Sequence, residues 1–205
     1  MTLPQIIRTF TIVGILGSLV LIGGITYEYF DPEPIATNIL EAVAMCIVFL
    51  GVISSYIVQA EHLGKFGLFS FIVLTVGYIL SCGLNWAVAF VSPVYGELTP
   101  PNIVESAIPL FPLYQGMAST FIVLNVGMLL YGIAILRSGK VAKWAGLMFL
   151  AAVAGALAPP MDEKCIYFFC AGIIWIGIKG WHWNPAAQTA EPSSDIRQQK
   201  TVPYP

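Results

Sequence analysis

GVISSYIVQAEHLGKFGLFSFIVLTVGYIL, residues Gly51 to Leu80, passes from one long apolar run to another through a single polar interruption, Gln59 to Gly67. Neither run alternates apolar with polar residues, so neither reads as a half-buried strand. Inside hydrocarbon every backbone N–H and C=O must be paired within its own segment, which leaves a helix for each run. The interruption carries Gly64 followed by Lys65, a helix stop and a cation. It predicts a tight turn at a membrane surface.

The same reading carried outward gives six apolar runs, roughly 10–27, 35–60, 66–91, 112–136, 141–158 and 165–181. Each is long enough to cross ~30 Å of hydrocarbon as a helix. Hydrophobic residues make up 58% of the 205 and charged residues 10%, and the mean hydropathy is +0.82. A soluble domain of this size has too little polar surface here to enclose six such runs. The expected fold is therefore all-α: a six-helix transmembrane bundle over residues 1–183, with a disordered cytoplasmic tail over 184–205, where Pro, Gln, Ser and charge dominate.

Charge fixes the expected orientation. Arg8, Lys65, Arg137, Lys140, Lys143, Lys179, Arg197 and Lys200 all fall on the side that holds both termini. Glu28, Asp31, Glu33, Glu97, Glu105, Asp162 and Glu163 fall on the other, with Lys164 the only basic residue there. The positive-inside rule then places both ends in the cytoplasm of a cell-membrane, multipass protein. The first run follows one Arg as a signal peptide would, yet it leads into the acidic YEYFDPEP segment without an A-x-A-like cleavage site, and it reads as a retained span. The longest connection, Ser92 to Phe111, is expected outside, with a short interfacial helix near 102–108.

Polar residues inside the runs are few and concentrated. Glu41 is the one carboxylate within a span, and a charge at the bilayer centre costs ~2.5 kcal/mol or more, so it is a functional candidate by default. Asn38 lies one turn away on the same helix. Tyr78, Ser81 and Asn85 share a face of the third run, and Gln115 and Ser119 are one turn apart on the fourth. If these stripes converge, they form a ligand pocket in the outer half of the bundle. The alternative is that a protonated Glu41 hydrogen-bonds to Asn85 or Gln115 and holds helices together.

Other chemistry lacks its usual signatures. No H-E-x-x-H, G-x-S-x-G, C-x-x-C or G-x-x-x-x-G-K-[ST] occurs, and the two histidines, His62 and His182, fall near membrane surfaces. Neither a catalytic residue nor a metal ligand is assigned, no cofactor is expected, and no basic stripe for nucleic acid is present. Cys46, Cys82, Cys165 and Cys170 belong to the spans, which argues against a disulfide framework.

Small residues mark expected contacts between helices. Gly14, Gly17 and Ser18 of the first run and Ala151, Ala154, Gly155 and Ala158 of the fifth predict that those two pack closely. Gly64-Lys65 and Gly139-Lys140 recur at inner turns, each preceded by a span glycine (Gly51, Gly127) and followed by Gly-Leu (Gly67-Leu68, Gly146-Leu147). This is either a repeated hairpin or what every inner turn requires.

The stretch GVISSYIVQAEHLGKFGLFSFIVLTVGYILSCGLNWAVAFV, from Gly51 to Val91, and the stretch LLYGIAILRSGKVAKWAGLMFL, from Leu129 to Leu150, resemble a family of small bacterial multipass membrane proteins of uncharacterised function. That resemblance implies a bacterial cytoplasmic-membrane protein and transfers no site residue. The expected function is non-enzymatic: an accessory or binding protein for a lipid, a hydrophobic or amphipathic small molecule, or a partner membrane subunit. The alternative is a small proton-coupled transporter or channel that uses Glu41.

Overall fold

The computed structural model describes residues 2–28, 30, 34–90, 111–138, 142–158 and 165–181. The tail over 184–205 and the interfacial helix near 102–108 lie outside them. Among the described residues the chain is all-helical, with α1 Leu3–Glu28, α2 Pro34–Phe90, α3 Phe111–Ser138, α4 Lys143–Ala156 and α5 Cys165–Gly180. Three segments are long and apolar enough to cross a membrane: Leu3–Glu28, Thr37–Ala87 and Gln115–Ser138. α4 and α5 are shorter apolar helices of 14 and 16 residues, about 21 and 24 Å at 1.5 Å per residue.

Helix ends follow from local chemistry. α1 starts well before residue 10 because the Gln5 side chain accepts a hydrogen bond from the Thr2 backbone N–H at 2.9 Å, one half of a capping box. α4 covers less than the expected 141–158. Ala142 has a non-helical φ of −152°, and Pro159 disfavours helical backbone at the residue before it.

α2 folds back on itself. Gly64, with φ 60° and ψ −162°, interrupts it and divides it into arms 34–63 and 65–90. Contacts pair the arms in antiparallel register about this residue: Tyr56 stacks on Phe71 at 4.3 Å, Phe49 on Tyr78 at 5.8 Å, and the Tyr78 hydroxyl donates to the Met45 carbonyl at 3.0 Å. A side chain is strained in that backbone region, so glycine is required for the reversal.

The helices form a closed circuit. α1 packs on α2, α2 on α3, α3 on α4, α4 on α5, and α5 on both α1 and α2. Glycines set the close crossings. A Cβ on Gly77 would lie 2.5 Å from the Leu124 Cα, and one on Gly127 would lie 2.5 Å from the Leu74 Cα, a reciprocal pair that joins arm 65–90 to α3. Gly132 and Gly146 meet where α3 crosses α4. Gly14 and Gly17 of α1 press against Gly51, Ile47 and Val48 of α2, and not against α4 as their composition suggested. The reason is that α4 spends Gly146 on α3 and leaves Ala154 exposed. Gly51 therefore meets Gly14 while Gly127 meets Leu74, so the two glycines of the recurring sequence pattern have unlike surroundings.

Seven rings link every element except α1. Phe49, Tyr78, Phe169, Phe149, Tyr131, Phe71 and Tyr56 follow one another with centroids 4.3 to 6.4 Å apart. Tyr78, Tyr131 and Phe149 are fully buried. Such pairs add ~0.5–1.5 kcal/mol each beyond the area they bury.

Register also segregates charge. Gly177 lies against Thr11 and Ile15, and Gly180 against Val58, so Arg8, Lys65 and Lys179 share one end of the bundle. The antiparallel pairing through Gly77 and Gly127 brings Arg137 level with Gly64, and the Gly132–Gly146 crossing brings Lys143 to the same end. Glu41 lies against Gly24 toward the opposite end, where the Thr26 and Tyr167 hydroxyls approach to 3.1 Å.

Candidate functional site

A cavity of about 50 Å³ opens where both arms of α2 meet α3 and α5, in the half remote from the basic end. Met45, Tyr78, Leu124, Met128, Cys165, Ile166 and Phe169 line it. Tyr78 faces it from arm 65–90 because its hydroxyl is tied to arm 34–63, at 3.0 Å from the Met45 carbonyl and 3.4 Å from the Met45 sulfur. Its hydrogen-bonding capacity is thus directed into the protein, and the ring presents an apolar face beside Phe169. Two methionines with several soft torsions give walls that adapt to different occupants.

The seven residues singled out from sequence are dispersed around this cavity, and Tyr78 alone lines it. Ser81 is buried on the same arm as Tyr78. Asn85 donates its Nδ2 hydrogen to the Ser81 carbonyl at 2.9 Å, one turn back on its own helix. Asn38 and Glu41 are half-buried, and the Glu41 side chain faces α1, with its Cγ 3.4 Å from where a Cβ on Gly24 would stand. Gln115 and Ser119 are exposed, and Ser119 donates to the Gly116 carbonyl at 3.0 Å.

A second polar group occupies the half nearer the basic end. The Ser55 hydroxyl donates to the Val52 carbonyl at 2.7 Å and lies 3.1 Å from the Tyr131 hydroxyl of α3. Gln59 donates through Nε2 to the Ser55 carbonyl at 3.1 Å. Its Oε1 is buried without a hydrogen-bond partner among the described residues, as is Oδ1 of Asn125. Tyr131 and Gln59 were not among the sequence candidates. The available signal was Ser55 and Gln59 at i, i+4, which puts two polar groups on one face of an apolar helix.

None of the four cysteines is in a disulfide; Cys170 is buried, Cys82 and Cys165 are half-buried and Cys46 is exposed. The indole N–H of Trp86 donates to the Cys46 sulfur at 3.2 Å across the two arms of α2. Among the described residues no group of three or more His, Cys, Asp or Glu side chains comes together. No family model, no curated protein and no solved structure matches the chain.

Proposed function

We propose that this chain is a six-span cell-membrane protein with both termini in the cytoplasm. Its task is to bind the apolar portion of a lipid or amphipathic molecule in the outer half of the bundle, without turnover. The cavity between Met45, Tyr78, Met128 and Phe169 carries this reading. Ligand sites are concave and mostly apolar, and this one meets those conditions at a scale that fits the tip of a chain rather than a whole drug-sized molecule. Six crossings are supported by the reversal at Gly64, which makes two rods of α2. An inner basic end is supported by Arg8, Lys65, Arg137, Lys143 and Lys179 lying together. α4 and α5, about 21 and 24 Å long, would span with locally thinned lipid or with interfacial anchoring by Trp144 and Trp181, both exposed.

Photoactivatable fatty acid in proteoliposomes tests the reading. Label on Met45, Met128 or Ile166 that is lost in Met128→Trp, where the indole fills the cavity, is the expected result. Equal labelling of wild type and variant rejects it.

The second reading, proton-coupled transport through Glu41, draws support from the buried Ser55, Gln59 and Tyr131 set in the other half. Proton flux that disappears in both Glu41→Gln and Tyr131→Phe would favour transport over binding.

A further inference from the structure

The basic end carries a feature that positive-inside bias alone does not require. Arg137, at the end of α3, holds its guanidinium 5.6 Å from the centre of the Phe66 ring. Phe66 follows Lys65, so the Arg137 guanidinium reaches the turn of helix that carries Lys65, beside the reversal of α2. Lys65, Arg137 and Lys143 are all exposed, and none is ion-paired among the described residues. Like charges gathered without a counterion repel one another, and the cation–π contact keeps Arg137 from swinging away.

Each lysine stands one helical turn above an exposed apolar side chain on its own helix face. Lys65 is followed at i+4 by Phe69, which is 57% exposed, and Lys143 at i+4 by Leu147, which is 46% exposed. Leu68 and Trp144 widen the same apolar border. A soluble anion has no use for such a border, whereas a molecule with a phosphate and attached chains meets both parts at once.

We propose that Lys65, Arg137 and Lys143 form a headgroup site for an anionic glycerophospholipid, its phosphodiester held between Lys65 and Arg137 and its acyl chains lying along Phe69 and Leu147. The site is separate from the cavity near Tyr78 and stands or falls without it.

The test uses the purified full-length chain in mild detergent with three additions: phosphatidylglycerol, phosphatidylcholine and inorganic phosphate. Lipid retained in native mass spectra and the unfolding temperature are read for each. Phosphatidylglycerol is expected to be retained and to stabilise, while phosphatidylcholine and phosphate do neither. Lys65→Gln and Arg137→Gln should each weaken retention roughly fivefold, the effect of one cation near an anionic headgroup. Arg137→Lys, which keeps the charge, should retain most of the affinity and separates charge loss from misfolding. Lys179→Gln should leave retention unchanged, because Lys179 projects over Trp175 on α5. Equal retention of the two lipids, or unaltered phosphatidylglycerol binding in the Lys65 and Arg137 variants, overturns the proposal. Stabilisation by inorganic phosphate equal to that by the lipid also overturns it, in favour of a free-anion site.

Discussion

Gly64→Ala isolates backbone strain from packing. No atom lies within 4 Å of where the new Cβ would stand, so the substitution creates no clash. Its φ of 60° with ψ −162° lies outside the left-handed helical well, in territory that costs a residue with a side chain about 1–3 kcal/mol. Against this, alanine restricts the unfolded chain and returns ~0.4–1 kcal/mol. The net expectation is a loss of about 1–2 kcal/mol, or roughly 2–8 °C in unfolding temperature for a domain of this size. Gly23→Ala is the matched comparison, because Gly23 lies in α1 with no neighbour within 4 Å and no unusual φ. There, helix propensity predicts no loss and a gain of up to ~1 kcal/mol. Reversible unfolding of both variants in mixed micelles measures the difference. Equal stability for the two refutes the argument that the reversal of α2 depends on glycine at residue 64. Cross-linking between Cys substituted for Tyr56 and for Phe71 would then show whether the arms still pair.

Further outcomes follow from the packing. Gly77→Ala and Gly127→Ala should each destabilise by more than 1 kcal/mol, since each Cβ would come within 2.5 Å of backbone on the facing helix. The double variant should lose less than the sum, because one separation of arm 65–90 from α3 relieves both clashes; additive losses would contradict a shared crossing. Tyr131→Phe and Ser55→Ala should each cost ~0.5–2 kcal/mol with a measurable coupling in a double-mutant cycle, and zero coupling would mean the 3.1 Å contact contributes nothing. Phe169→Ala removes a ring that touches both Tyr78 and Phe149 and should cost ~3–5 kcal/mol while enlarging the cavity; a loss below 1 kcal/mol would show that the walls collapse onto it.

Helices and reversal were legible because they depend on local properties. Long apolar runs must pair their backbone internally, and Gly64 before Lys65 marked the stop. The polar stripes were less legible, for a specific reason. A Ser, Thr or Asn in a helix can turn its donor to the carbonyl three or four residues back, as Asn85 does on Ser81, Ser119 on Gly116 and Asn125 on Phe121. Shared depth therefore says little about convergence. Tyr131 escaped notice because a tyrosine amid aliphatic residues reads as a ring to be packed, and its hydroxyl partner, Ser55, lies 76 residues away in sequence. The mispairing of α1 has the same origin: a row of small residues announces a close approach without naming the helix that makes it.

None of the seven linked rings comes from α1, which meets α2 and α5 through glycines, aliphatic contacts and the 3.1 Å approach of the Thr26 and Tyr167 hydroxyls. Tilting any of the other rods disturbs a ring contact, stacked between Tyr78 and Phe169 and edge-on or tilted between Phe169, Phe149, Tyr131 and Phe71, so those rods are geared to one another.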